Sequence, residues 1–503
     1  MNKLLLGIDI GTGGCKVNLV DIDGNWISSG GCEYVTYHDY PGWSEQNPED
    51  WYGGFKIAFR NALNSKKINP KDIIAISVSA STHNMVLLDE NMNVLRKTIM
   101  WTDQRSREEA NWLNKNYGEE IFTITLQKAS PTWSLPQLLW IKKHDGEIYK
   151  KIKYLMFVKD YIRYKLTDTW GTDYIDAQGS LLLDYKKNRW SDRICKIASI
   201  PTNILPPIYK PTDIAGNITK KVAKELGISD NVPVLFGTSD TAIEAYGAGI
   251  TDPGQCVVKM ATAGTVNIFT KKPYPSSKSL TYSYVIPGLW YACMGTNSAA
   301  QSLRWFREVF CDLEEKEALK KGESIYNIID NKAKTISAGS EGLIFHPYLM
   351  GERSPYWDPF LRASFTGINA YHKKGHFYRS IMEGVAFSLK DCYLEVNKMG
   401  LDADEVRFIG GGAKSEIWRE ILSNILGKKV LVLENDDASF GSAMLAGVGI
   451  GEFSSFEEAV RKCVKIKQIT KPKIKEMEIY NKTFDIYKKI HDGLEEVYKL
   501  LAK

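Results

Sequence analysis

The sequence predicts an α/β protein of two lobes, in which mixed sheets are flanked by helices. Three observations predict this class. Apolar strand-like runs mix with amphipathic helical runs in the first half, a glycine- and threonine-rich turn joins the first two strands, and a similar strand–turn–strand pattern recurs half a chain later. We place the boundary at residue 248, which gives an N-terminal lobe of residues 1–248 and a C-terminal lobe of residues 249–503.

The first lobe opens with a predicted strand meander over residues 4–10, 16–21 and 26–37, and Asp23-Gly24 is a strong hairpin signal between the last two. A helix is predicted to begin at Pro48, because Asn47 suits the N-cap and Glu49 and Asp50 suit the first turn. Another strand follows at residues 73–79. The sheet of this lobe is therefore expected to be mixed.

The second lobe repeats part of this pattern. Strands are predicted at residues 256–260 and 266–270, with the turn Ala261-Thr262-Ala263-Gly264-Thr265 between them, and we interpret the repeat as weak internal duplication. A third glycine turn, at residues 410–415, follows a strand at 406–409 and precedes a helix at 416–426 that Gly427 ends. Residues 477–501 have helical spacing and are expected to pack on this lobe.

The composition of the 503-residue chain is that of a globular protein, with 44% hydrophobic and 25% charged residues. The net charge of +5 is small and no arginine patch is concentrated, so we expect no nucleic-acid partner. The eight cysteines are scattered without a C-x-x-C pair, which is typical of reduced cytosolic thiols. No apolar run suits a signal peptide or a membrane span, so we expect a cytoplasmic protein without membrane association.

Glycine turns at strand ends indicate phosphate binding, because their backbone N–H groups can approach a phosphate closely. The chain lacks the P-loop motif and the protein-kinase motif set. We therefore expect a different cradle for the phosphates. Its first side comprises Gly11, Thr12, Gly13 and Gly14, its second side comprises Gly264 and Thr265, and Lys16 adds a positive charge.

Two aspartates stand at the ends of strand-like runs beside such turns. Asp240 is the candidate base, since a carboxylate can accept the proton of an attacking hydroxyl. The alternative is an N-cap for a helix at residues 241–247. Asp9 is the candidate Mg²⁺ group near the phosphates, and the alternative is a buried acid paired within the core.

Polar and aromatic residues after the strand at 73–79 suit a polyhydroxyl ligand. His83 can hydrogen-bond such a ligand, although a lone histidine more often satisfies local structure. Trp101 and Asp103 offer a ring face and a carboxylate for a sugar. An Asp103–Arg105 pair that braces a turn explains the same residues equally well.

Together these residues resemble the FGGY carbohydrate kinases, from about Leu4 to beyond Gly451. The segment ASFTGI at 363–368, followed by His376-Phe377 and SIME at 380–383, is similar to the C-terminal signature of that family. The opening GIDIGT at 7–12 is similar to its first phosphate loop. The resemblance implies a two-lobed actin-like ATPase (ribonuclease H-like) fold, with ATP and a sugar in the interlobe cleft.

Three stretches, at 41–46, 176–184 and 351–359, are most similar to the xylulokinases of this family. The resemblance implies ATP- and Mg²⁺-dependent phosphorylation of a terminal hydroxyl, with D-xylulose as the first candidate substrate and Asp240 as the base. We place the sugar near Thr82, His83, Trp101, Asp103 and Asp240, and Mg²⁺ near Asp9 and Asp240. The expected ATP-binding residues are Thr12, Gly13, Gly14, Lys16, Gly264, Thr265, Gly411, Gly412 and Ser415, with adenine toward residues 410–415.

The substrate motif departs from the xylulokinase pattern at Ser81, Thr82, Asn84 and Thr102, and Gln137 stands where the family has lysine. A kinase for another ketose, a polyol or an aldonate such as gluconate is therefore the alternative, because few polar changes suffice to alter discrimination. An actin-like ATPase switch and a catalytically silent sugar sensor are alternatives of another class. Members of the family are often dimers, so a homodimer is a further expectation.

Overall fold

The computed structural model describes residues 3–501, which form two compact units. Unit 1 comprises the described residues up to Thr251, together with Thr281–Trp290 and Asn435–Val464. Unit 2 comprises Asp252–Leu280, Tyr291–Glu434 and the described residues from Lys465 onward. The chain therefore returns to unit 1 twice after residue 251. Among residues 3–501, no helix combines the length and the apolar character needed to cross a membrane.

The strands in chain order are β1 (Leu4–Ile10), β2 (Gly14–Asp21), β3 (Trp26–Glu33), β4 (Glu45–Gln46), β5 (Ile73–Ala80), β6 (Met85–Leu88), β7 (Thr98–Ile99), β8 (Tyr154–Phe157), β9 (Thr172–Asp173), β10 (Leu183–Asp184), β11 (Arg189–Trp190), β12 (Ile208–Tyr209), β13 (Ile214–Asn217), β14 (Pro233–Leu235), β15 (Thr238–Ser239), β16 (Cys256–Met260), β17 (Gly264–Thr270), β18 (Leu280–Ser283), β19 (Trp290–Thr296), β20 (Ile344–His346), β21 (Ser364–Thr366), β22 (Glu405–Ile409), β23 (Lys429–Leu433) and β24 (Ile466–Thr470).

The helices in chain order are α1 (Pro48–Lys66), α2 (Arg107–Thr125), α3 (Ser134–His144), α4 (Gly146–Lys151), α5 (Val158–Thr167), α6 (Tyr174–Gln178), α7 (Asp192–Ala198), α8 (Lys220–Leu226), α9 (Asp240–Gly247), α10 (Ala300–Phe310), α11 (Asp312–Lys321), α12 (Ile325–Lys334), α13 (Lys374–Lys398), α14 (Glu416–Leu426), α15 (Ala438–Gly449), α16 (Phe456–Cys463) and α17 (Ile474–Leu501). Short 3₁₀ turns occur at Pro70–Asp72, Thr202–Ile204, Ser340–Gly342 and Gly411–Lys414.

The main sheet of unit 1 has the strand order β13-β14-β5-β1-β2-β3, and β15 also pairs with β5. Its central strand β1 is antiparallel to β2 and parallel to β5. The sheet is therefore mixed, as the sequence predicts. This pairing sets Asp9 opposite Ser79 of β5, so that two polar residues meet at the same edge of the sheet.

Helix α1 covers one face of this sheet for reasons that are local in the sequence. The side chain of Asn47 accepts a hydrogen bond from the N–H of Glu49 at 3.3 Å, and Pro48 occupies the first turn. The apolar face of the helix buries Trp51, Phe55 and Phe59 in the core of unit 1. The predicted helix start is therefore confirmed.

Helix α15 contacts β1, although more than 400 residues separate them in the sequence. The contact is so close that a Cβ atom on Gly7 would overlap the carbonyl oxygen of Ser439. The amide of Asn18 donates to Asp437 at 2.9 Å and to the hydroxyl of Ser439 at 2.7 Å. Residues of this late segment thus pack on the central part of β1 and β2.

The sheet of unit 2 contains the strand order β19-β17-β16-β22-β23-β24. Its strand β16 is antiparallel to β17 and parallel to β22, which is the pattern of β1 with β2 and β5. The outer pairs also correspond, because β14 and β13 are antiparallel, as are β23 and β24. The shared order confirms the duplication that the two glycine-turn hairpins indicate.

The core of unit 2 is arranged around α13, which is buried along most of its length. Helix α17 adds Tyr480, Phe484 and Tyr487 to this core, as predicted for the last helix. Some predicted bounds shift slightly. The strand predicted over 26–37 ends at Glu33, and the helix predicted from 241 begins one residue earlier, at Asp240.

Candidate active site

Asp9 is the next-to-last residue of β1 in the main sheet of unit 1. The hydroxyl of Ser79 donates a hydrogen bond to the Asp9 carboxylate at 2.8 Å. Burial, and then the charge of Asp240, raise the pKa of Asp9 to about 8, although the Ser79 hydrogen bond acts in the opposite direction. Asp437 and Glu244 add smaller repulsive contributions. Within residues 3–501, the charges that act most strongly on Asp9 are therefore negative.

Asp240 is the first residue of α9 and remains partly accessible to solvent. The N-cap position belongs to Ser239, so the alternative interpretation of Asp240 as the cap is wrong. The Asp240 carboxylate accepts hydrogen bonds from the N–H of Thr241 at 2.6 Å and from the hydroxyl of Thr82 at 3.3 Å. The structure therefore joins Asp240 to Thr82 of the predicted sugar motif.

Asp9 and Asp240 are close enough for each charge to matter to the other. Two carboxylates that repel each other in this way fit a divalent cation, which would offset the repulsion. Within residues 3–501, no set of three or more His, Cys, Asp or Glu side chains is arranged to hold a metal ion. A Mg²⁺ ion at these two acids would have oxygen ligands, the ligand type that this ion prefers.

The first phosphate hairpin is a tight turn between β1 and β2. The N–H of Gly11 donates to the carbonyl of Gly14 at 3.0 Å, and a Cβ on Gly14 would lie 2.6 Å from the carbonyl oxygen of Cys32. Gly13 is exposed, with open space where a side chain would stand. Lys16 is exposed on β2. The turn therefore combines a constrained backbone with an accessible tip.

Thr12 connects this hairpin to the predicted sugar motif. Its hydroxyl accepts a hydrogen bond from the indole N–H of Trp101 at 2.9 Å, and its carbonyl accepts one from Gln46 at 2.7 Å. The backbone N–H of Trp101 donates to the side chain of Asn84 at 2.5 Å. These contacts hold Thr12 and Trp101 in fixed relation.

His83 is a buried, neutral histidine in a left-handed backbone conformation, with φ of 56°. Its ring lies 3.1 Å from the carbonyl of Thr132 through Nδ1 and packs on Trp133. Burial lowers its pKa to about 3. Its backbone N–H donates to Asp176 at 3.0 Å. His83 therefore offers a hydrogen-bonding ring without positive charge.

Asp103 is buried and already bonded within the protein. Its two oxygens accept hydrogen bonds from the Arg105 guanidinium at 2.9 and 2.8 Å, and one also accepts from the N–H of Ser44 at 2.5 Å. The guanidinium also lies over the ring of Trp43. This is the turn brace that the alternative interpretation of Asp103 describes.

The two glycine turns of unit 2 meet on either side of Met260. Gly264 pairs with Met260 across β16 and β17, while a Cβ on Gly410 would lie 2.7 Å from the carbonyl oxygen of Met260. A Cβ on Gly412 would overlap the Met260 side chain, whereas Gly411 faces open space. Glycine is thus required for the close approach of the two turns.

The hydroxyl groups of Thr265 and Ser415, in these turns, differ in their hydrogen bonding. The hydroxyl oxygen of Thr265 is buried and has no hydrogen-bond partner within residues 3–501, which is uncommon for a buried polar group. Ser415 caps α14, and its hydroxyl accepts from the N–H of Trp418 at 3.2 Å. Ser415 therefore has a structural role as the N-cap of α14, in addition to its predicted ATP contact.

Several residues that shape the site were missed by sequence reasoning. Ser79 could have been found by aligning the parallel strands β1 and β5, since it stands opposite Asp9. Asp437 and Glu244 act on Asp9 through space, and no local pattern marks them. Asp176 lies in a stretch that the resemblance includes, but its bond to His83 is visible only in the structure.

Comparison with known proteins defines the class. Residues 4–247 match the N-terminal domain of the FGGY family of carbohydrate kinases, and residues 256–450 match its C-terminal domain. The chain belongs to the FGGY family of carbohydrate kinases. This confirms the predicted family and enzyme class, and with it the α/β fold of mixed sheets and helices.

Individual relatives are similar over nearly their whole length. A xylulose kinase of Bacillus subtilis (strain 168) is 33% identical over 498 residues, which cover 98% of each chain. The ligand-bound xylulose kinase of Lactobacillus acidophilus has a TM-score of 0.90 at 26% identity, covering 99% of this chain and 100% of that one. A gluconate kinase of the same organism has a TM-score of 0.91 at 26% identity, with complete coverage of both chains.

Proposed function

We propose that this carbohydrate kinase transfers the γ-phosphoryl group of ATP to a terminal hydroxyl of D-xylulose, with Asp240 as the general base. The observation that carries the proposal is the accessible Asp240 carboxylate, which is bonded to Thr82 and lies in the field of Asp9. The 33% identity with a xylulose kinase over 98% of both chains supports the choice of sugar.

Asp240 is suited to accept the proton of the attacking hydroxyl. The hydrogen bonds from Thr241 and Thr82 fix the carboxylate, and both reach the same oxygen, Oδ1. Partial exposure leaves the carboxylate open to a sugar. Removing the proton as the oxygen attacks phosphorus contributes typically 10²- to 10⁴-fold to such a reaction.

The nucleotide would be held by backbone N–H groups of the glycine turns, with the unpaired hydroxyl of Thr265 as a further contact. Asp9 and Asp240 would hold Mg²⁺, which supplies neutralisation of phosphate charge when bound. This role is supported by the position of Asp9 as the next-to-last residue of β1, shortly before the first phosphate turn. Lys16, Gly13 and Gly14 remain ATP-binding candidates of this turn.

A neutral ketose fits the sugar motif better than an aldonate. Among the proposed sugar contacts, Thr82 and Trp101 are uncharged, His83 is neutral because burial lowers its pKa to about 3, and Asp240 is acidic. A carboxylate on the ligand would find no positive partner among these groups. Gluconate is the second candidate, because a gluconate kinase shares the fold with a TM-score of 0.91.

A sugar panel tests the proposal directly. The purified protein is assayed with ATP and Mg²⁺ on D-xylulose, D-ribulose, xylitol, glycerol and gluconate, by coupled detection of ADP. We expect the highest kcat/KM with D-xylulose. A preference for gluconate would favour the second candidate, and ADP release that is independent of every sugar would favour an ATPase switch.

The predicted cytoplasmic location and homodimer stay predictions. Light scattering during size-exclusion chromatography measures the mass of the assembly and decides between a monomer of 56.8 kDa and a dimer. A monomer under assay conditions would contradict the predicted homodimer.

A further inference from the structure

A cluster of five charged side chains lies completely buried in unit 1, next to the sugar motif. Its members are Lys159, Asp160, Arg163, Asp173 and Asp176. The ammonium of Lys159 is 2.5 Å from Asp160, 3.0 Å from Asp173 and 3.6 Å from Asp176. Arg163 bonds to Asp160 at 2.7 Å. Burial of charged groups costs free energy because the groups lose their hydration. A fully buried cluster of five such groups therefore needs an explanation.

The first arm of the cluster reaches the sugar motif through Asp176. One oxygen of Asp176 accepts the backbone N–H of His83 at 3.0 Å, while the other faces Lys159. His83 has a left-handed backbone that requires external support. The Asp176 contact supplies part of that support, and the hydroxyl of Ser134, bonded to the carbonyl of His83 at 2.7 Å, supplies another part.

The second arm reaches the segment that carries Asp240. Asp173 caps α6 by accepting the N–H of Ile175 at 2.9 Å. The same oxygen accepts the hydroxyl of Thr238 at 3.0 Å, and its other oxygen faces Lys159. Thr238 opens the short strand β15, which leads directly into Asp240. A fully buried hydroxyl thus ties the start of this strand to Asp173.

Lys159 is the one group of the cluster that contacts both arms. Burial raises the pKa of Asp176 to about 8 and also raises that of Asp173, while the charge of Lys159 acts against both shifts. Arg163 cannot replace it, because its ion pair is with Asp160. Without Lys159 the two carboxylates would face each other with no cation between them.

We propose that Lys159 is a positioning residue for phosphoryl transfer: it holds the loop of Thr82 and His83 through Asp176, and the segment of Asp240 through Asp173. The inference rests on the proposed function of Asp240 as the base. The buried ammonium group of Lys159 thereby fixes the position of the loop of Thr82 and His83 relative to Asp240. The hydrogen bond between Thr82 and Asp240 lies where the two supported segments meet.

A mild substitution tests the second arm. Thr238→Val keeps the shape and removes only the hydroxyl that Asp173 accepts. We expect kcat to fall about tenfold or more, since small misplacement of a reacting group is costly, with KM for ATP and sugar little changed. Thr238→Ser keeps the hydroxyl and should retain activity. Thr125→Val is the matched control, because Thr125 is equally buried but bonds only to backbone groups of residues 121 and 127.

For the first arm, we expect a change in KM for the sugar rather than in kcat. Asp176→Ala removes the acceptor for the N–H of His83, and we expect KM for the sugar to rise about tenfold or more with KM for ATP unchanged. Asp176→Asn keeps an acceptor oxygen for His83 but loses the charge that faces Lys159, so KM for the sugar should rise less than in Asp176→Ala. A wild-type KM for the sugar in a folded Asp176→Ala protein would overturn this arm.

The role of Lys159 itself is tested in the Asp176→Asn variant, because the loss of one positive and one negative charge keeps the net charge of the cluster. Lys159→Met alone risks unfolding, so it is combined with Asp176→Asn and compared with Asp176→Asn alone. We expect the double variant to lose kcat as Thr238→Val does. Amide hydrogen exchange, which needs no sugar, should become faster at residues 238–241 in the double variant.

Two outcomes overturn the proposal. One is wild-type kcat in a folded Thr238→Val protein, and the other is a double variant that matches Asp176→Asn in both kcat and exchange. All ratios are taken on the sugar that the wild-type enzyme uses best. Failure of the wild type to use D-xylulose therefore contradicts the proposed substrate, whereas the exchange data still decide the role of Lys159.

Discussion

At the scale of single residues, Asp9 and Asp240 look alike in the sequence and differ in their surroundings. Asp9 lies near the end of a strand, accepts a hydrogen bond from Ser79 and has a raised pKa because of burial and the Asp240 charge. Asp240 begins a helix, where the N-terminus favours a negative charge. The first environment suits a cation-binding group, and the second suits a carboxylate that is ready to accept a proton.

Asp240→Asn should remove the base without changing the shape of the site. We expect kcat to fall by about 10²- to 10⁴-fold, the range of general-base contributions, with ATP binding largely retained. Kinetics and calorimetric titration with ATP measure the two quantities. Asp192→Asn is the matched control, since Asp192 is also the first residue of a helix after a serine N-cap and is exposed. Near-normal turnover of Asp240→Asn would contradict its role as base.

Asp9→Asn should weaken the use of Mg²⁺. It removes one of two candidate carboxylate ligands, so a higher Mg²⁺ concentration should be needed for half-maximal rate. Titration of activity with Mg²⁺ at saturating ATP measures the change. An unchanged Mg²⁺ requirement in a folded variant would leave Asp9 as a structural acid.

At the scale of elements, the contact of β1 with α15 is a backbone-to-backbone approach that a glycine permits. Gly7→Ala would force the strand and helix apart, because its Cβ would overlap the carbonyl oxygen of Ser439. We expect a loss of about 1–3 kcal/mol or more in the free energy of unfolding. Denaturant unfolding measures it. Gly53→Ala, on α1 with open space around it, should be neutral or slightly stabilising, and equal losses would disprove the argument.

The docking of α17 on β20 should depend on pH through His346. The ring of His346 stacks on Tyr487, and its Nε2 lies 3.0 Å from the Tyr487 carbonyl. The pKa of His346 is lowered to about 4, chiefly by burial and to a smaller extent by His491 and Lys488, while the hydrogen bond with Tyr487 acts in the opposite direction. The unfolded chain therefore takes up a proton first as pH falls. The contribution of the neutral ring to the free energy of unfolding is fully present above about pH 6.5. It decreases as the pH falls from about 6.5 to about 4.

His346→Gln should flatten this dependence. Between pH 7 and pH 5 the wild-type protein should lose about 2 kcal/mol through this histidine, and the variant should lose correspondingly less. Urea unfolding at both pH values measures the difference. His38→Gln, at an exposed histidine, is the control and should keep the wild-type slope. An unchanged slope in His346→Gln would refute the assignment.

At the scale of the whole molecule, the two units share one strand order, and unit 1 includes residues 281–290 and 435–464 from later in the chain. The local features were predictable from sequence, because caps, glycine turns and apolar runs act over a few residues; β1, β16 and α14 end where expected. The effect of Asp437 and Glu244 on Asp9, the Lys159 cluster and the return of α15 to β1 could not be predicted in this way. They depend on tertiary contacts that no local pattern encodes.

The chain segments that form unit 1 predict which fragments of the protein are stable. A fragment of residues 1–251 lacks α15, so the face of β1 around Gly7 and the amide of Asn18 lose their partners. We expect this fragment to be unstable, and a fusion that adds residues 435–464 through a flexible linker to be more stable. Thermal unfolding by circular dichroism compares the two. Equal stability of both fragments would contradict the argument.

The late return of α15 also has a consequence for synthesis. After Gly7, the ribosome must add about 430 further residues before it reaches the helix that covers Gly7. At about 5–20 residues per second, the stretch between residues 251 and 435 takes roughly 10–40 s to emerge. During that time β1 and β2 lack their permanent cover. The N-terminal half of a nascent chain is therefore a natural client for chaperones that shield apolar surface until translation is nearly complete.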